Sequence, residues 1–235
     1  MRRFPSIRLC LCCFSVAVLA LRSEAEELPH ACPRLVIELC RAGEGISQGR
    51  LLNRAGGVKM TFPVGYGREG WLAEGSRFRG GYSLLGRFKI NAILAIDRFD
   101  MAPALVARSG KSEAFLRANL FRNMGRIDFD GDGRGGEYGA GFLSLEPISA
   151  GGGSKGGEAA KPAVDQPFAF NVYDGVFRWY SFAIHGTQDE ARVGRAATGG
   201  CINVGATHLE SLLAELRVED LVEIVTNSDP VPTNQ

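Results

Sequence analysis

An excess of charge of one sign is missing from this chain. Its 235 residues carry 27 Lys and Arg against 26 Asp and Glu, a formal net charge of +1, so no cationic excess drives binding to a nucleic-acid backbone. DNA and RNA are therefore poor candidate partners. A membrane-spanning run is missing too: the apolar stretch from Leu9 to Leu21 falls short of the ~20 residues that cross a bilayer. There is no internal repeat, which excludes solenoids and arrays. With 45% hydrophobic and 23% charged residues, the chain is neither disordered nor a coiled coil nor a multi-span membrane protein. Glycine is abundant instead. The 31 glycines exceed the usual ~7% and mark a turn-rich, mostly-β chain of one or two domains.

The N-terminus reads as a secretion signal over residues 1–25. Arg2, Arg3 and Arg8 precede the apolar run, and Ser23 and Ala25 are the small residues before a cut after Ala25. A retained anchor is the weaker reading, so no stable membrane anchor is expected after cleavage. Arg2-Arg3 does not separate general from twin-arginine export. Cleavage removes Cys10, Cys12 and Cys13 and leaves Cys32, Cys40 and Cys201. Cys32 and Cys40 can pair only if the chain folds back at Pro33, because a strand from Leu35 to Cys40 carries them apart. Cys201 remains odd either way, a thiol worth attention in an oxidising compartment.

Strands are expected at Arg34–Cys40, Val58–Val64, Leu84–Ile90, Ala92–Ile96, Phe168–Val172, Phe177–Ile184, Cys201–Val204 and Leu221–Val225. Ser112 caps a short helix over Ser112–Asn119. Thr207-His208-Leu209-Glu210 has the form of a capping box and opens a helix with Leu209, Leu212, Leu213 and Leu216 on one face. His208 is then structural. The stretch between Ser149 and Ala163 is rich in Gly, Ser, Ala, Lys and Pro and reads as a flexible surface loop. It falls within a long insertion from about Arg98 to Gln166.

The chemistry concentrates between His185 and Cys201. Phe182-Ala183-Ile184-His185-Gly186-Thr187 ends one strand, and Thr198-Gly199-Gly200-Cys201-Ile202-Asn203 begins another. If the two strands are neighbours, imidazole and thiol meet, with the loop between them lying outside. A thiolate is a nucleophile, and an adjacent imidazole takes its proton and lowers its pKa. Gly199 and Gly200, without side chains, let backbone N–H groups approach a substrate carbonyl as an oxyanion hole. Spacing alone leaves the plainer reading open: a buried cysteine acting as a small hydrophobe beside a structural histidine. The order His before Cys excludes a papain-like enzyme.

These residues resemble the L,D-transpeptidases with the YkuD-type catalytic domain, whose signature is a His-Gly-Thr strand end followed by Ser/Thr-His-Gly-Cys-apolar-Arg/Asn. Arg34–Leu39 resembles the family's opening strand, Phe62–Gly67 its Pro-Val-Ser-x-Gly segment and Ser83–Ile90 its Thr-Pro-x-Gly-x-Phe-x-Ile segment without the proline. The resemblance implies a β-sandwich catalytic domain over residues 34–226 with a C-terminal helix, followed by a tail over 227–235. It implies Cys201 as nucleophile, His185 as general base, and Gly186 as the residue whose carbonyl orients that base. Thr198, Gly199, Gly200 and Asn203 fall in the substrate and oxyanion positions. Gly199 replaces a second histidine. Asn203 is either a substrate contact or a solvated strand residue.

The activity so implied is acyl transfer between peptidoglycan stem peptides in the periplasm or envelope, through a Cys201 thioester and without metal or organic cofactor. Transfer to water, as an L,D-carboxypeptidase, and a catalytically silent envelope-binding protein are the alternatives. Asp128-Phe129-Asp130-Gly131-Asp132-Gly133 matches half of a calcium loop, but position 12 is Gly139 and no helix pair flanks it. A turn-forming acidic loop is the preferred reading there.

Overall fold

The structure, a computed structural model, describes residues 32–129, 133–148 and 169–227. The signal segment, the Gly-rich stretch 149–163, Asp130, Asp132 and the tail beyond Asn227 lie outside the described residues. In chain order the first elements are β1 (Leu35–Leu39), β2 (Gln48–Leu52), β3 (Val58–Gly67), β4 (Gly70–Leu72), β5 (Tyr82–Leu84), β6 (Gly86–Ala95) and β7 (Phe99–Met101). Two helices follow, α1 (Pro103–Ser109) and α2 (Glu113–Met124). Then come β8 (Gly141–Pro147), β9 (Ala169–Tyr173), β10 (Val176–Tyr180), β11 (Ala183–His185), β12 (Ala196–Thr198), β13 (Ile202–Val204), α3 (Ala206–Glu215) and β14 (Leu221–Thr226).

The sheet runs β3-β13-β11-β8-β6-β14-β1-β2, and β2 pairs again with β3, closing a barrel. Closure satisfies the backbone groups that an open sheet leaves at its edges. The sandwich expected from the resemblance is thus one sheet curled on itself. Around this ring pairing is antiparallel except between β1 and β14 and between β11 and β13. Two strands hang outside the ring, with β12 beside β3 and β7 beside β6.

Strand periodicity divides the apolar residues between two cores. Leu35, Ile37, Phe62, Val64, Ile184, Ile202 and Val204 point into the barrel and pack with Leu209, Leu212 and Leu216 at α3. On β6 the register slips between Ile90 and Ala92, where two residues stand opposite one step of β8. That bulge at Asn91 changes the parity of the strand. Phe88, Ile90 and Ile93 therefore face the barrel core, whereas Ala92 and Leu94 face outward. The outward side carries the second core, in which Leu116, Leu120 and Met124 of α2 pack with Phe142, Trp179 and Ala183. Their i, i+4, i+8 spacing presents one stripe of the helix. Ser112 caps α2 as expected, its Oγ accepting from the Phe115 N–H at 3.2 Å, and the helix runs on to Met124 because Leu120 and Met124 extend the buried stripe.

Two expectations need correction. The capping box at Thr207 is not formed: Gly205 is the N-cap, and the Glu190 carboxylate accepts the Ala206 N–H at 2.9 Å instead. The span from about Arg98 to Gln166 is not one insertion, because β8 lies inside it and is a barrel strand between β6 and β11. Its alternation is hidden by burial on both faces, the usual reason such a strand lacks a period-2 pattern. The pairing of Cys32 with Cys40, which the sequence left open, is not formed in this structure.

Candidate active site

Cys201, Asn203, Ala183 and His185 lie on one face of two adjacent parallel strands, since alternate residues of a strand share a face. The register sets Ile184 beside Ile202 and His185 beside Asn203. Ile184 and Ile202 enter the barrel core, so their neighbours in the chain face outward. There the thiol, the imidazole and the Asn203 amide line one cavity of about 230 Å³ with Phe78, Tyr180 and Arg192 among its other walls.

The strand that bears His185 ends where a side chain would not fit. A Cβ at Gly186 would stand 2.9 Å from Gly139 Cα and 3.0 Å from the Tyr138 carbonyl oxygen. Backbone therefore packs on backbone, and the Gly186 N–H donates to the Tyr138 carbonyl at 2.9 Å. This contact lays Tyr138 edge-on against the imidazole, with ring centroids 4.9 Å apart at 80°. The His185 Nδ1 is 2.6 Å from the Gly186 carbonyl oxygen. A carbonyl only accepts, so Nδ1 carries the proton and Nε2 keeps its lone pair for a base's work.

Both titrating groups are shifted away from charge. Burial pulls the His185 imidazole down to about 4; Arg192 adds to this, and the Gly186 and Glu137 carbonyls oppose it. Burial pushes the Cys201 thiol up to about 11, against a lowering by the Ala183 backbone. The sulfur lies 3.6 Å from the Ser181 carbonyl oxygen. Near neutrality the pair is a neutral thiol beside a neutral imidazole, not an ion pair. The expected lowering of the thiol pKa by histidine is not found: desolvation raises it, and only the Ala183 backbone lowers it. Tyr138 and Tyr180 also have raised pKa values, first through burial and next through the nearby Cys201.

The turn into β13 is held by Thr198. Its Oγ1 donates to the Cys201 carbonyl at 2.5 Å and accepts the Gly200 N–H at 3.1 Å. Gly200 has φ +133°, a conformation L side chains rarely adopt, and its carbonyl accepts from Ser83 Oγ at 2.7 Å. Because Thr198 occupies the Gly200 amide, Gly200 is not an oxyanion donor in this arrangement. The amides of Gly199 and Cys201 have no protein acceptor among the described residues. Asn203 is only 2% exposed, which rules out a solvated strand residue. Its Oδ1 is buried without a hydrogen-bond partner among the described residues. Gly65 makes room for it, since a Cβ at 65 would collide with that oxygen.

A family model for the L,D-transpeptidase catalytic domain matches residues 46–224. The chain belongs to that family. Among solved structures, that of LD transpeptidase LdtMt1 in complex with imipenem is similar at 14% identity and a TM-score of 0.34. The match covers 82% of this chain and 59% of that one, so the chain spans about three fifths of that structure's length. A search among curated protein sequences finds no match.

Every L,D-transpeptidase position expected from sequence, Cys201, His185, Gly186, Thr198, Gly199, Gly200 and Asn203, falls at this cavity or in the turn and strand ends that shape it. The loop between His185 and Cys201 does not lie outside. It contributes Thr187 and Arg192 to the cavity wall, and Arg192 Nη2 donates to the Ala197 carbonyl at 2.9 Å. Sequence reasoning missed Tyr138, Tyr180, Phe129 and Arg192. The glycines around Tyr138 mark a turn, but nothing local says that the turn folds onto His185. No group of three or more metal-binding side chains occurs among the described residues. Asp128 Oδ2 accepts the Gly133 N–H at 2.8 Å.

Proposed function

We propose that the protein is an exported L,D-transpeptidase that joins peptidoglycan stem peptides through a Cys201 thioester. The observation that carries this reading is the shared cavity: nucleophile, base and an unpartnered buried amide oxygen on one face of β11 and β13. The signal segment read at residues 1–25 and a cell-wall substrate support a location in the periplasm or envelope. Among the described residues no helix is long and apolar enough to cross a membrane.

The chemistry follows from the neutral resting pair. Cys201 attacks the carbonyl that precedes the terminal D-residue of a donor stem as its proton passes to His185 Nε2. A buried ion pair is thus formed only as the thiolate is consumed. The Gly199 and Cys201 amides face the developing oxyanion. Collapse breaks the amide bond, and the imidazolium returns its proton to the departing amine, leaving a thioester. An amine of a second stem then attacks the thioester, gives up a proton to His185 and forms the cross-link, while the sulfur leaves and is reprotonated. Asn203 Oδ1 accepts a substrate N–H, ending its isolation.

Mass spectrometry of intact protein and products after incubation with stem tetrapeptide tests this. An acyl-enzyme on Cys201 and a cross-linked dimer are expected, both absent in Cys201→Ala. Release of tripeptide alone would make the enzyme a carboxypeptidase. No acylation by stem peptide or by a carbapenem would leave a silent envelope module.

A further inference from the structure

Arg178 lies beside the cavity. It sits on β10, where alternation sends Phe177 and Trp179 toward α2 and the second core and turns Arg178 and Tyr180 to the other face. Directly opposite on β9 is Asn171, whose Oδ1 accepts from Arg178 Nε at 3.0 Å. The guanidinium carbon lies over three rings, 4.4 Å from the centroid of Tyr173, 5.4 Å from Phe129 and 5.5 Å from Tyr180. Two of these, Phe129 and Tyr180, also line the cavity with Cys201. Phe129 continues the aromatic path to the base: it meets Tyr138 edge-on at 5.4 Å, and Tyr138 meets His185.

Stacked on rings and fixed at Nε, the guanidinium is oriented, yet no carboxylate among the described residues pairs with it, and its terminal nitrogens bond to no protein acceptor there. An arginine held by its faces keeps its N–H edge for an acceptor in its plane, and a carboxylate matches that edge with two parallel bonds. Partial desolvation among rings strengthens such a pair relative to a surface one. The charge reaches the cavity as well, since Arg178 acts against the rise in the Tyr138 and Tyr180 pKa values.

We infer that Arg178, held by Asn171, Tyr173 and Phe129, is a carboxylate-binding subsite at the rim of the Cys201 cavity. Its ligand within the transpeptidase reading is a free carboxylate of the stem peptide, so that Arg178 selects acidic over amidated stems. The subsite itself does not depend on that reading.

A pair of small reagents reads the subsite without any stem peptide. Iodoacetate and iodoacetamide alkylate thiols to products of nearly the same size, but only the first carries a carboxylate. The ratio of their rates at Cys201, followed by peptide mass spectrometry on the full chain, is expected to fall about tenfold in Arg178→Gln. Arg178→Lys, which keeps the charge and loses the fork, is expected to fall between. A ratio equal in wild type and Arg178→Gln, as it would be if Arg192 alone set it, overturns the proposal. The second arm compares a stem tetrapeptide with the same peptide capped as carboxamides. Wild type should favour the acid at least tenfold in kcat/KM, and Arg178→Gln should lose that preference while handling the capped peptide within about threefold of wild type. Retention of the preference in Arg178→Gln overturns the proposal as surely. A wild-type protein that turns over neither peptide, yet shows the iodoacetate effect, sinks the transpeptidase reading and leaves the carboxylate subsite standing.

Discussion

Tyr138 stands edge-on to His185, with ring centroids 4.9 Å apart. The tyrosine belongs to a turn 47 positions earlier in the chain, and its place depends on Gly139 and Gly186 touching backbone to backbone. The imidazole is therefore positioned by residues of two distant segments, fixed on one side by the Gly186 carbonyl and on another by the Tyr138 ring. Four consequences can be measured.

Gly186→Ala places a Cβ against the backbone of the Tyr138–Gly139 turn, which must move. The expected result is a stability loss of about 1–3 kcal/mol, the usual cost of overpacking, with turnover down more than tenfold as the imidazole loses its ring contact. Gly199→Ala is the control for stability, because a Cβ there meets no atom within 4 Å. Urea unfolding of both variants, with kcat measured on the first, checks this.

His185 has a folded-state pKa of about 4, below the ~6.5 of an unfolded histidine. Between those values the unfolded chain binds more protons than the native one, so stability rises with pH across that window and is lost as pH falls through it. Denaturation midpoints from pH 4 to 7 should show this slope in wild type and a shallower one in His185→Gln. Equal slopes would mean that the imidazole is not buried neutral.

Cys201 should alkylate slowly at neutral pH. With its thiol held at about 11, the thiolate fraction climbs about tenfold per pH unit between 7 and 10, whereas an ordinary thiol of pKa ~8.5 levels off near pH 9. Iodoacetamide rates at Cys201 followed by mass spectrometry decide the matter. A rate already on its plateau at pH 7 would mean a preformed thiolate and imidazolium.

Leu120→Ala removes a fully buried side chain from the α2 stripe beneath β10. A loss of about 2–5 kcal/mol is expected for such a cavity. Turnover should fall as well, since β10 carries Arg178 and Tyr180 and rests on α2. Chemical denaturation and the peptide assay on the same preparation give both numbers.

The local sequence determined much of this protein. Alternating apolar residues placed β1, β3, β13 and β14 within a residue or two over most of their length, because period 2 is a property of the strand itself. The Ser112 cap was legible because it satisfies an N–H three residues away. The pairing of His185 with Cys201 was legible as two strand ends of the right residue types. What was not legible depended on partners far along the chain. β8 reads as part of an insertion until the barrel core takes Leu143 and Leu145 on one face and the second core takes Phe142 on the other. Thr207 looks like a cap until Glu190, from the loop between His185 and Cys201, reaches the Ala206 amide first. The bulge at Asn91, which decides which residues of β6 face the barrel, follows from its register with β8.

The site divides in the same way. Sequence alone supplied the thiol and the imidazole, and the family resemblance added the glycine whose carbonyl orients it and the asparagine beside it, since each lies within a short motif on one of two strands. Only the tertiary structure decided their charge states, because desolvation is a property of what surrounds a group and not of its neighbours in the chain. Only the tertiary structure, too, brought Tyr138, Arg192, Tyr180 and Arg178 to that face. They come from a turn, a loop and a hairpin with no shared period, and what joins them is the closure of the barrel and the packing of the second core against its outer wall.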